Sequence, residues 1–139
     1  MCVLGLGYVY INGKDIANDL FLSPVSDYRK TLWVNEYDVT KLLKNGENTL
    51  FIELGNGFYN EGVETVWGHH NAKWRGTTTC WLSVKKDGGR NFFNGRKLGN
   101  YAFEKDLFNE IRSGEYFDLR VRKYDKAVTW KRAVLKTET

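Results

Sequence analysis

The sequence predicts an all-β fold, a single antiparallel β-sandwich spanning residues 1–139. Three observations carry that expectation: β-branched and aromatic runs recur at short spacing, Asn-Gly and Asp-Gly corners separate them, and no stretch has the periodicity of a long helix. With 42% hydrophobic and 15% aromatic residues, one domain of this length has enough apolar material for a packed core. Disorder is excluded on the same ground.

Gly7 to Gly13 reads Gly-Tyr-Val-Tyr-Ile-Asn-Gly, a β-rich run closed by Asn12-Gly13, whose tolerance of positive φ marks a tight hairpin. Asp19 to Leu22 is a second apolar run, ended by Ser23-Pro24 because proline has no N–H to give a ladder. After the loop Val25 to Lys30, Thr31-Leu32-Trp33-Val34 resumes strand composition. Tyr37 to Leu43 predicts one helical turn, with Asp38 as its cap and Asn45-Gly46 as its stop. Glu47-Asn48 then hands the chain to a strand in which Leu50, Ile52 and Leu54 alternate with Thr49, Phe51 and Glu53, giving one fully buried face.

Gly55 to Gly76 has neither period. It holds both histidines and four aromatics of exposed type, Phe58, Tyr59, Trp67 and Trp74, among glycines and asparagines. A loop of this length in a compact domain is functional or faces a partner. Thr77 to Lys86 returns to strand and Asp87-Gly88-Gly89 turns it. Asn91 to Phe108 carries no readable pattern, and Glu115 to Val121 and Ala127 to Leu135 read as closing strands.

Several function classes drop out. The net charge of +4 is modest, and the basic cluster from Arg120 to Lys136 alternates with apolar residues, so it reads as the wet face of strands and not as a nucleic-acid stripe. No apolar run approaches the ~18 residues of a membrane span. The start Met1-Cys2-Val3-Leu4-Gly5 has no basic leader, so no secretory signal is expected in this chain, which reads as a fragment of a longer protein. Cys2 and Cys80 are too far apart for a zinc knuckle and are expected as two reduced thiols, Cys80 buried.

Three blocks in order resemble the galactose-binding-like jelly rolls attached to many glycoside hydrolases: Tyr10-Ile11-Asn12-Gly13-Lys14, Tyr37 to Leu43, and Gly46-Glu47-Asn48-Thr49-Leu50. A narrower resemblance, covering nearly the whole chain, is to the N-terminal domain of bacterial α-L-rhamnosidases of glycoside hydrolase family seventy-eight. It runs through Gly5-Leu6-Gly7-Tyr8, Ser26 to Lys30, Leu54 to Asn60, Val66-Trp67, Lys73-Trp74-Arg75, Gly114 to Arg120 and Trp130 to Val134. Against the family pattern, the chain begins almost at Gly5 and lacks the strand expected before it. The loop Pro24-Val25-Ser26-Asp27 is one residue short and has no large aromatic, and a Ser/Thr-Asp then Trp-Lys block is not recognisable in Asn91 to Phe103.

The resemblance implies that the catalytic carboxylates belong to a downstream helical barrel, so the chain alone is expected to be non-catalytic. The most tempting acid pair, Glu115 and Asp118, agrees: three apart in a strand, they project to opposite faces and cannot flank one glycosidic bond, and Asp118 is expected to pair with Arg120. His69-His70 has no Cys, Asp or Glu at ligand spacing and reads as surface loop. Some members of the family module bind L-rhamnose with the help of calcium. That implies oxygen donors at Asp27, Asn56 and Asn60, calcium on Asp27 and Asn56, and Tyr59, Trp67 and Trp74 as flat partners for the sugar. The alternative is that Asp27 caps a loop, Asn56 serves turn geometry and the tryptophans dock on a larger enzyme. Two functions stay open: a carbohydrate-binding module for a rhamnose-containing glycan, and a structural sandwich seated on the catalytic domain of the same polypeptide.

Overall fold

The computed structural model describes residues 1–17, 23–86, 90–94, 100–101, 108–116 and 131–132. Its strands, in chain order, are β1 (Cys2–Leu4), β2 (Leu6–Ile11), β3 (Lys14–Asp15), β4 (Leu50–Gly55), β5 (Thr79–Trp81), β6 (Ser83–Lys86), β7 (Arg90–Asn94), β8 (Asn100–Tyr101), β9 (Phe108–Glu110), β10 (Gly114–Tyr116) and β11 (Lys131–Arg132). Every pairing is antiparallel: β1 with β5, β2 between β3 and β4, β6 with β7, β8 with β11, and β9 with β10. Among the described residues the only helix is two single 3-10 turns, Thr40–Leu42 and His69–Asn71. This is the all-β antiparallel sandwich the sequence predicts.

The Asn12-Gly13 hairpin forms as expected, with φ of 52° and 79° joining β2 to β3. Asn12 does more than turn the chain. Its side-chain amide donates to the Leu42 carbonyl and to Asn48 Oδ1, both at 2.8 Å, and its Oδ1 accepts the Thr49 N–H at 3.1 Å. Asn48 Oδ1 also accepts the Lys44 N–H, so one asparagine pair fixes the hairpin to the loop that feeds β4. Asp38 Oδ1 accepts the Thr40 N–H at 2.9 Å at the start of the first 3-10 turn. The side chain and then the backbone of Thr40 hold the Asp38 carboxyl below its usual range.

The core lies where two layers meet. β2 alternates, with Gly7, Val9 and Ile11 inward and Tyr8 and Tyr10 outward, and its inward residues stand opposite Leu54, Ile52 and Leu50 of β4. Val9 is fully buried and Val3 of β1 is 2% exposed. Met1 and Ala17 complete the cluster, and Ile16, Tyr37, Ile52, Leu54, Cys80 and Leu82 pack around it. Val3 and Cys80 come from the β1–β5 pair and Val9 and Ile52 from the β3–β2–β4 sheet, which makes one core of two sheets.

Four expectations need correction. The strand expected to be missing before Gly5 is present as β1, an apolar run that pairs with β5. Thr31 to Val34 joins no sheet; its neighbour Asn35 exchanges backbone bonds with Met1. The inward face of β4 is only partly covered, because Leu50, the last residue of its ladder, stays 38% exposed. Cys2 is the buried thiol and Cys80 is half-buried, since Cys80 sits at the edge of the cluster. The run Asp19 to Leu22, the Asp87-Gly88-Gly89 corner, most of the two closing strands, and Asp118 and Arg120 lie outside the described residues.

Candidate functional site

The residues singled out by sequence gather around the loop that follows β4. It opens at Asn56-Gly57 with Gly57 at φ 53°, where a Cβ would lie 2.9 Å from Leu6 Cγ and 3.0 Å from the Gly5 carbonyl carbon. Glycine is therefore required twice over, for conformation and for closeness. Asn56 is bonded on all sides. Its N–H donates to Asn109 Oδ1 at 3.1 Å, its side-chain amide donates to the Asn109 carbonyl at 2.8 Å, and its Oδ1 accepts from Asn60 Nδ2 at 2.8 Å. Asn60 Oδ1 in turn faces Arg75 Nη2 at 3.5 Å. These bonds lash the loop to β9.

Asp27 is closed in the same way. Its carboxylate accepts from Arg29 Nε at 3.0 Å and Arg29 Nη2 at 3.1 Å, a two-pronged pair, while Lys30 Nζ stands at 3.7 Å. Its carbonyl accepts the N–H groups of Lys30 and Thr31. The Arg29 side chain holds the Asp27 carboxyl below the usual range. Among the described residues no hydrogen bond or ion pair joins Asp27 to Asn56 or Asn60.

The four loop aromatics were expected to be exposed, and only Trp67 is, at 65%. Tyr59 is 7% exposed, edge-on to Tyr28 with ring centroids 5.2 Å apart; burial pushes the Tyr28 phenol up. Trp74 is half-buried against Tyr28 and under the Arg29 guanidinium at 5.5 Å, and its indole N–H is buried. Phe58 is half-buried, its ring edge-on to His69. The loop folds these rings under itself, which gives Asp27-Tyr28-Arg29, Tyr59 and Trp74 one shared cluster and leaves Trp67 apart from it.

Sequence reasoning missed the centre of the loop, Glu61. Its side chain is 1% exposed, with Oε1 accepting from Arg112 Nε at 2.9 Å and Oε2 facing His69 Nδ1 at 3.0 Å. A buried carboxylate is tolerated because a guanidinium and an imidazole satisfy it. His69, expected at the surface, is only 20% exposed for this reason. The Arg112 guanidinium lies 5.6 Å from the Phe58 ring and 5.4 Å from the Trp67 ring. The signal was out of reach locally, since Glu61 and Arg112 are 51 residues apart. A second buried carboxylate, Glu110, accepts the Gly62 N–H through Oε1 at 2.9 Å.

A cleft of about 460 Å³ lies beside this loop, lined by Leu6, Ser23, Pro24, Val25, Phe58, Ile111 and Arg112. Neither buried glutamate lines it, nor does any of the six residues expected to bind sugar. Among the described residues no three His, Cys, Asp or Glu side chains group as metal ligands. Burial raises both thiols, Cys2 and Cys80, away from the reactive thiolate form.

The antiparallel layers and the asparagine-tied loop together describe an all-β sandwich domain. The chain belongs to the α-L-rhamnosidase N-terminal domain family, whose profile matches residues 1–139. Two curated proteins of Formosa agariphila named α-L-rhamnosidase are each 31% identical, over 85% and 82% of this chain and 13% and 12% of their own length. One from Streptomyces avermitilis with the same name is 28% identical over 84% of this chain and 11% of its own. The chain thus spans about an eighth of the length of these relatives. No solved structure matches it significantly.

Proposed function

We propose that this chain is a non-catalytic accessory domain of an α-L-rhamnosidase-like polypeptide, and that its role is structural: it seats on the catalytic part of the same polypeptide. One observation carries the reading. The side chains expected to offer oxygens to sugar or calcium, Asp27, Asn56 and Asn60, are already bonded within the domain. Calcium takes roughly six to eight oxygens, and here it would have to displace the Arg29 cation from Asp27 and break the Asn56–Asn60 bond. A sugar would face the same competition, and Tyr59 has no free ring face to offer it.

Titration with L-rhamnose to tens of millimolar, with and without calcium, tests this by calorimetry and melting temperature. No heat and no shift are expected, and a chromogenic rhamnoside should not turn over. Millimolar or tighter binding that disappears in Asp27→Ala would refute the reading. One observation favours a second, sugar-binding reading at a different place: exposed Trp67 lies over Arg112, a residue that also lines the cleft. Binding there would vanish in Trp67→Ala and survive Asp27→Ala.

A further inference from the structure

β1 is apolar on both faces. Val3 turns inward beside Cys80, whereas Cys2 and Leu4 share the outer face with their partners Trp81 and Thr79. A strand between core and water normally alternates apolar with polar residues, and one that is apolar on both sides is covered on both. On that outer face Cys2 is already buried at 8%, but Trp81 beside it is 57% exposed.

A second exposed apolar segment lies beside the start of β1. The Met1 nitrogen donates to the Asn35 carbonyl at 2.7 Å and the Asn35 N–H donates to the Met1 carbonyl at 2.8 Å, the mutual exchange of an antiparallel pair. This places Val34 and Leu32, one and three residues before Asn35, close to the start of β1. Val34 is 61% exposed, Leu32 51% and Trp33 49%. The backbone groups of Leu32, Trp33 and Val34 make no hydrogen bond among the described residues. Exposed apolar side chains beside backbone that makes no hydrogen bonds mark a surface that something else covers.

We propose that the exposed apolar side chains Leu32, Val34 and Trp81 beside β1 mark where the domain seats against the remainder of its own polypeptide. This rests on the structural reading above and names the surface that reading needs. The occupant follows from size and length. A patch of a few side chains falls well short of the roughly 800 Å² per partner that lasting association of separate chains needs. A tethered partner acts at an effective concentration of about millimolar and needs much less. The relatives carry such a partner, since the matched region is 11–13% of their length.

Hydrogen–deuterium exchange on the full-length polypeptide and on this chain alone provides the test. Amides of residues 1–4, 31–35 and 79–81 should exchange about tenfold or more slowly in the full-length protein, and Trp81→Glu should return them to the rate of the isolated chain. In the isolated chain Trp81→Glu and Val34→Asp should leave the melting temperature within about a degree, as expected for exposed positions. Equal exchange in both contexts would overturn the proposal. So would a dimer of the isolated chain that Trp81→Glu dissolves, because the face would then belong to a second copy. Sugar binding lost on Asp27→Ala together with intact protection at these amides would refute the structural reading while upholding this face.

Discussion

The loop of residues 55–76 and the outer face of β1 and β5 are opposites. The loop is rich in groups that suit recognition, yet it turns them inward: Asn56 and Asn60 bond to each other and to Asn109 and Arg75, Tyr59 is buried, and Glu61 is closed by Arg112 and His69. The surface beside β1 and β5 has little chemistry and leaves it bare, with Trp81, Val34 and Leu32 each more than half exposed. Availability is set by which partners the fold supplies. A polar side chain that finds its hydrogen bonds within the chain stops being a binding group, and an apolar one that finds no neighbour becomes one.

The comparison breaks most readily at Arg112. Arg112→Leu keeps apolar contact with Phe58 and Trp67 but leaves the Glu61 carboxylate buried beside a lone imidazole. Loss of one partner from a buried pair should cost about 3 kcal/mol, roughly 10 °C in Tm, by thermal unfolding. A change under a degree would mean that the loop is not held by its inward charges.

A smaller effect sharpens the same contrast at Asp27. Because Arg29 lowers the folded pKa of Asp27 below the ordinary 3.8, the contribution of this group is full above that value and is lost as pH falls through the folded value. Near neutrality Asp27 should therefore make no pH dependence in the melting temperature, which should fall in acid, and Asp27→Asn should make the acid fall shallower. An Asp27→Asn curve parallel to the unaltered one below about pH 4 would show that the pair with Arg29 does not form in solution.

What the sequence disclosed were the local devices. Asn12-Gly13 demands its hairpin, Asp38 bonds the Thr40 N–H at the start of the nearest turn although Val39 is that turn's cap residue, and the alternation at Leu50, Ile52 and Leu54 faces the core, because each depends on neighbours within a few residues. The inward set of the loop was hidden because its partners are remote: Glu61 waits for Arg112 and Asn56 for Asn109, both more than fifty residues on. β1 was overlooked for a different reason. Met1-Cys2-Val3-Leu4 is a continuous apolar run with no alternation, the pattern of a strand covered twice, and its significance emerges once Cys80 and Trp81 are seen beside it.

The most direct measurement concerns the side-chain amides of Asn56 and Asn60 in solution. Proton–nitrogen NMR should find both NH₂ groups protected from exchange, with shifts unchanged when L-rhamnose and calcium are added. Free exchange at these amides, or shifts that move on titration, would contradict the claim that the loop has turned its polar groups inward.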